Sequence, residues 1–144
     1  MKLLSPVFNN EEMIPKKYTC LGEDINPPLK IEDLPPETKT LALVVEDPDA
    51  PSGLFVHWVV YNIPITEKIK ENSIPGLQGQ NDFQRNSWGG PCPPSGSHRY
   101  FFKLFALDSV LDLKEGISKE TLIDAMTGHI IVQTELMGYV RKDS

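Results

Sequence analysis

Two segments gather most of the chain's reactive side chains: Asp47-Pro48-Asp49-Ala50-Pro51, running into His57-Trp58, and Gly89-Gly90-Pro91-Cys92-Pro93-Pro94-Ser95-Gly96-Ser97-His98-Arg99-Tyr100. In each, a stiff loop rich in proline or glycine leads to a histidine at the start of a β-type run. Convergence of the two loops would build one small pocket. Pro48 and Pro51 fix their own φ angles and push Asp47 and Ala50 toward extended backbone, so the Asp47 carboxylate is aimed. Preorganisation of this kind lowers the entropy lost on binding. A carboxylate beside the His57 imidazole fixes its tautomer and favours the charged ring, giving a donor pair suited to phosphate or carboxylate.

The second loop adds what a histidine lacks. Gly89 and Gly90 permit close backbone approach and offer N–H groups as an anion nest, Pro93 and Pro94 make a rigid wall, and Tyr100 brings a hydroxyl donor. Each feature alone has a plainer explanation. Asp-Pro-Asp is a common turn, and His57 beside Trp58, like His98 after a glycine loop, is more often packed than liganding. Their shared placement at strand ends favours an anion pocket over a set of unrelated turns.

Strands must hold these loops. Thr40 to Val45 is a buried-strand run ended by Pro48, Val56 to Ile63 repeats the pattern up to Pro64, and Tyr100 to Leu107 forms a third strong strand. Ahead of them, six prolines in the first 36 residues limit helix to short pieces, leaving brief strands near 5–8 and 28–31. The stretch 65–97 has no periodicity and is expected to be a long surface loop, a candidate reactive or interaction loop. Ser118 to Met126 changes character, with an N-cap serine, helically spaced Leu122, Ile123 and Met126, and a stop at Gly128. Ile130 to Val140 favours a final strand, although Glu135-Leu136-Met137 also suits a helix.

The expected class is therefore mainly β, a sandwich of two antiparallel sheets with one or two peripheral helices, in a single domain over residues 1–144. A net charge of -6 argues against nucleic acid, which demands clustered Lys and Arg. No stretch approaches the roughly 20 apolar residues of a membrane span, and Met1 to Pro6 lacks a signal-peptide core, so the cytoplasm is the default location. Cys20 and Cys92 form no CxxC pair; two reduced thiols are the plainer expectation, with a disulfide the alternative.

These motifs together resemble the phosphatidylethanolamine-binding protein family, which includes the Raf kinase inhibitor protein. The resemblance rests on Asp47 to Pro51, on His57-Trp58 through Asn62-Ile63-Pro64, and on Gly90 to Pro94 through His98-Arg99-Tyr100. Tyr18-Thr19-Cys20, Asn26-Pro27-Pro28-Leu29 and Asn81-Asp82-Phe83 resemble its short bacterial and archaeal branch, so the likeness spans nearly the whole chain. It implies a β-sandwich with an anion pocket made by Asp47, Pro51, His57, Gly90, Pro94, His98 and Tyr100, with Asp49 in support behind them. It also implies a small phosphate-bearing or other anionic ligand, such as a phospholipid head group, a protein kinase or protease as a regulated target, and a homodimer. Two departures from the family pattern stand out. Ile31 replaces an aromatic residue, which is expected to loosen packing near the first sheet, and Trp88 replaces a tyrosine, which is expected to reshape the pocket rim.

A binding or inhibitory module asks only that the pocket hold an anion or display a surface. A small hydrolase is the alternative, with Asp47 or Asp49 and His57 activating water, yet no serine or cysteine sits in a nucleophile-elbow context. Asp47, Asp49, His57 and His98 are suitable metal-ligand types, but their spacing matches no metal motif. Neither a metal nor a cofactor is expected.

Overall fold

The computed structural model describes residues 1–142. Nine strands and one α-helix follow in chain order: β1 (Lys2–Leu4), β2 (Glu12–Met13), β3 (Leu29–Glu32), β4 (Thr40–Asp47), β5 (Phe55–Ile63), β6 (Lys68–Ile69), β7 (Leu77–Gln78), β8 (Ser97–Leu107), α1 (Lys119–Met126) and β9 (Ile130–Arg141). A large sheet runs β2-β9-β8-β4-β5-β7 and a small one β1-β3-β6. Pairing is antiparallel throughout except where β2 lies parallel to β9. The expected mainly β architecture is what the chain adopts, with one peripheral helix and a 3-10 turn at Lys16–Tyr18.

β4 explains the layering. All of its residues are buried, and successive side chains go to opposite faces of the large sheet. Leu41, Leu43 and Val45 join Trp58, Phe102 and Leu104 in a core closed by Leu3, Leu29 and Ile31 of the small sheet. Ala42 and Val44 join Val59, Tyr61 and Leu107 in a second core, closed by Leu122 and Met126 of α1. The uninterrupted apolar run of this strand thus reflects cover on both faces. Ile31 is only 2% exposed within the first core, so the packing it was expected to loosen is tight.

Glu46 sits on the helix side of β4. Its buried carboxylate is bonded to Lys103 on β8 at 2.6 Å and to Lys119, the first residue of α1. Burial alone would raise the Glu46 pKa, but the two lysines outweigh it and hold the carboxyl below its ordinary value. The helix itself begins where the Ser118 hydroxyl accepts from the Thr121 N–H, and the chain turns away at Gly128, with φ +84°.

Several boundaries differ from expectation for local reasons. The first strand lies at Lys2–Leu4 because the chain turns at Ser5, whose hydroxyl donates to Pro28 O and accepts from Val7 N–H. The stretch 65–97 is not one loop: β6 and β7 interrupt it, each two residues long and so too short to leave a periodic signal. The last strand excludes its helical alternative, since Glu135, Leu136 and Met137 pair with Lys103, Phe102 and Phe101.

The reduced-thiol expectation is overturned, because Cys20 and Cys92 form a disulfide. Sequence spacing hides the pairing because the 3-10 turn at Lys16–Tyr18 carries Cys20 back to the proline-rich loop. There the Cys20 N–H donates to Pro91 O at 3.1 Å, and the two Cα atoms lie 5.4 Å apart. Closing a loop across 72 residues restricts the unfolded chain by roughly 4 kcal/mol in the loop-entropy model. Cys20→Ser, or full reduction, should therefore lower the unfolding free energy by about 2–4 kcal/mol. Urea titration with and without reductant measures it, and coincident curves would show that the bridge carries no such constraint.

Candidate functional site

The end of β4 and the starts of β5 and β8 meet at one edge of the large sheet. Val45 is paired with Phe102, which brings Asp47 level with Tyr100 and one step from His98 on the same face. β5 would put His57 on the opposite face were its register regular. It is not, since Val45 pairs with Trp58 whereas Glu46 pairs with Val56, so His57 is an extra residue with no partner on β4. Such a β-bulge re-aims a side chain. Val56 packs in the core beneath α1 and Trp58 in the core between the sheets, while His57 turns to the Asp47 side, where its ring meets Tyr100 edge-on at 5.2 Å.

The result is a cavity of about 270 Å³. Asp47, His57, His98 and Tyr100 form its polar part, and Pro51 and Pro94 line it beside them. Phe55 and Phe83 supply aromatic walls that sequence reasoning missed. Phe55 precedes His57 by two residues on the same strand, and Phe83 lies in the Asn81-Asp82-Phe83 motif, so both had a signal. Cys92 also lines the cavity, through its place in the disulfide.

The two remaining residues of the expected site do not reach the cavity. Gly90 donates its N–H to Asp24 Oδ1 at 2.8 Å, and Gly89 donates its own to His57 O at 3.1 Å. The expected anion nest is thus corrected: both amides are already used, and the glycines serve close packing. A Cβ on Gly90 would lie 2.3 Å from Asp24 Oδ1 and 2.6 Å from Tyr18 O. Asp49 points away to Arg99, accepting from its N–H, Nε and Nη2 at 2.9 Å each. Those bonds hold its carboxyl at a pKa of about 2, and the Asp49 N–H in turn donates to Asp47 Oδ1 at 2.7 Å. Asp49 therefore braces Asp47 from outside the cavity.

A buried asparagine clamps the covering loop. Asn81 Nδ2 donates to His57 O and Ser87 O, and its Oδ1 accepts from Phe83 N–H and Arg85 N–H. Asp82 adds a bond from Val56 N–H to its carboxylate at 2.7 Å. Together these satisfy the outer edge of β5 beyond the reach of β7, which pairs only with Val60 and Tyr61. Trp88 lies within this loop but stacks on Phe102 and meets Trp58 edge-on in the core, so it does not reshape the rim.

Hydrogen bonds assign the polar tips. His57 donates from Nδ1 to Gly89 O at 2.6 Å, which leaves Nε2 toward the cavity without a protein partner among the described residues. Burial lowers its pKa further than the Gly89 carbonyl and the nearby Asp47, Asp82 and Asp24 raise it, so the ring is neutral and Nε2 is an acceptor. This reverses the donor role expected of it. His98 donates from Nδ1 to Asp47 Oδ2 at 2.7 Å, leaving its Nε2 free, a donor whenever the ring is charged. Tyr100 is 1% exposed; burial, then the neighbouring Asp47 carboxylate, pushes its pKa up, so its hydroxyl remains a neutral donor.

Two outcomes test this assignment. Gly90→Ala should destabilise the fold by about 1–3 kcal/mol through overpacking, read by urea unfolding, since Tyr18 O is backbone and cannot swing aside. Because the folded state depresses the His57 pKa below its ordinary 6.5, the associated stability is present above that value. It is lost as pH falls through the folded pKa. Thermal unfolding should show a wild-type loss between pH 7 and 5 that His57→Phe lacks.

The sequence model of phosphatidylethanolamine-binding proteins matches residues 4–141. A UPF0098 protein of Methanothermobacter thermautotrophicus is 47% identical, covering 99% of each chain, and one of Pyrococcus horikoshii is 50% identical, covering 96% of this chain and 76% of its own. Among solved structures, CT736 of Chlamydia trachomatis, described as a candidate phosphatidylethanolamine-binding protein homolog, superposes with a TM-score of 0.95 at 46% identity over 98% of this chain and 97% of its own. YbcL of E. coli, described as a new member of the mammalian family, gives 0.89 at 26% identity over 97% of each chain. Matching sequence over nearly its whole length and matching folds at both identities, the chain belongs to the phosphatidylethanolamine-binding protein family.

Proposed function

We propose that this protein binds a small phosphate-bearing ligand in the cavity at the ends of β4, β5 and β8. The observation that carries this reading is that His57, His98 and Tyr100 line one cavity, and that neither His57 Nε2 nor His98 Nε2 has a protein partner among the described residues. The site is rigid before any ligand arrives: Pro51 and Pro94 border it, Asp49 and Arg99 brace Asp47, and Asn81 clamps the loop behind His57.

Size narrows the ligand. A cavity of about 270 Å³ accepts a head group and no more, so acyl chains of a lipid would remain outside. No helix among the described residues is long and apolar enough to cross a membrane. Binding demands no base, whereas the hydrolytic alternative asks Asp47 or Asp49 to work with His57 on a water; Asp47 is bonded to His98, Asp49 to Arg99 and His57 Nδ1 to Gly89 O, so no carboxylate is paired with His57.

Few ligand atoms can make contact, so a dissociation constant of about 1 mM, some 4 kcal/mol, is expected for O-phosphoethanolamine. Titration calorimetry measures it. His98→Ala should weaken binding at least tenfold while the circular dichroism spectrum is unchanged, and absence of heat in the wild-type protein would overturn the proposal.

A further inference from the structure

The Cys20–Cys92 bridge lies open to solvent. Both cysteines are exposed, and both line a surface hollow of about 70 Å³. That hollow shares Thr19, Leu21, Val140 and Arg141 with a neighbouring one of about 180 Å³, so the two form a groove with the cysteines at one end. Lys16, Arg141 and Lys142 line this groove and no carboxylate does, although the whole chain carries a net charge of -6. None of these three cations forms a salt bridge among the described residues. Met13 and Leu21 add exposed apolar surface beside them. An accessible disulfide is open to attack by a thiolate, and neighbouring cations both draw an anionic attacker and stabilise the thiolate that leaves.

We propose that Cys20–Cys92 is a reversible thiol-exchange site, and that the basic groove beside it takes an anionic low-molecular-weight thiol, which forms a mixed disulfide with Cys20. Cys92 also borders the cavity at the strand ends, whereas Cys20 does not, and Cys20 sits between Thr19 and Leu21 of the larger hollow, so Cys20 Sγ is the atom attacked. The incoming thiolate bonds to Cys20 Sγ, the Cys20–Cys92 bond breaks, and its electron pair leaves on Cys92 Sγ as a thiolate, with Arg141 and Lys142 lining the same hollow. The return step is the reverse: Cys92 attacks Cys20 Sγ and expels the small thiol. A second thiol attacking the mixed disulfide instead yields the small-molecule disulfide and the dithiol protein, two electrons having passed from two thiols. Closure is favoured because bonds without sulfur still hold the segments together: Cys20 N–H donates to Pro91 O at 3.1 Å, and Gly90 N–H to Asp24 Oδ1 at 2.8 Å.

Acid-quenched mass spectrometry of the intact, oxidised protein, incubated without denaturant, follows the exchange with three probes: glutathione as the anionic thiol, 2-mercaptoethanol as a neutral one and cysteamine as a cationic one. Each rate is divided by that thiol's rate with bis(2-hydroxyethyl) disulfide, which removes differences in intrinsic reactivity. Glutathione should add one glutathionyl group per chain, mapped by peptide analysis to Cys20, and the bridge should re-form when the thiol is diluted away. Its normalised rate should exceed that of cysteamine by about fivefold, an advantage that the Lys16→Glu, Arg141→Glu double variant reverses. Should that variant misfold by circular dichroism, the wild-type protein decides, since about 1 M salt should erase the preference for glutathione. A bridge that glutathione leaves intact until denaturant is added is a sealed staple, and that result overturns the proposal. Equal normalised rates for the three thiols, or an adduct on Cys92 in place of Cys20, overturn it as well.

Discussion

One inserted residue on β5 governs the rest of the site. The register of β4 against β5 slips between Val45 and Glu46, and the slip turns two consecutive side chains, His57 and Trp58, to the same side of the sheet. With a regular ladder, His57 would face the helix-covered core, where an imidazole has no role, and the cavity would lose its acceptor. The outer edge of β5 at this level is open because β7 pairs only with Val60 and Tyr61. That edge is closed by Gly89 N–H and Asn81 Nδ2 on His57 O, and by Asp82 on Val56. The same loop therefore repairs the strand, orients the ring through Gly89 O and brings Phe83 in as a wall.

Rigidity reaches the cavity from two further directions. From one side, Arg99 grips Asp49 with two guanidinium nitrogens and its own backbone N–H, and Asp49 passes that order to Asp47 through a backbone bond. From the other, the segment around the 3-10 turn holds the proline-rich loop through the disulfide, the Cys20–Pro91 bond and the Asp24–Gly90 bond. Glycine matters at position 90 for want of space, not for an unusual φ, since a Cβ there would overlap backbone. These restraints surround the polar tips without using them up: His57 Nε2 and His98 Nε2 have no protein partner among the described residues.

What could be seen in the sequence follows from how each feature is encoded. Long strands declare themselves through runs such as Thr40 to Val45, and Ser118 with Gly128 marks the helix, because propensity and capping act within a few residues. The site's Asp47, Pro51, His57, Pro94, His98 and Tyr100 were visible as a motif, since all lie at or beside strand ends. Three things were hidden. The disulfide depends on a turn returning Cys20 over 72 residues of sequence. The roles of Gly89 and Gly90 depend on partners, Asp24 and Phe83, that no local pattern announces. And the protonation of His57 depends on a bulge, which in a run as uniform as Val56 to Ile63 leaves no trace of its own.

Glu46 and Asp47 show why burial of a carboxylate does not by itself identify function. They are adjacent, comparably buried at 2% and 3% exposure, and project to opposite faces of one strand. Glu46 meets two lysines whose attachment sites lie on β8 and α1, so its charge is answered within the protein and its effect is to bind a helix to a sheet. Breaking such a triad strands a buried charge, a structural penalty with no ligand involved. Asp47 meets instead a histidine that has a second nitrogen to spare, and an amide from a loop braced by Arg99. Its charge is answered by a group that can pass the interaction outward, from Nδ1 to Nε2 and so to the cavity. The difference between a fastening and a binding site, one residue apart, lies in whether the partner ends the chain of hydrogen bonds or extends it.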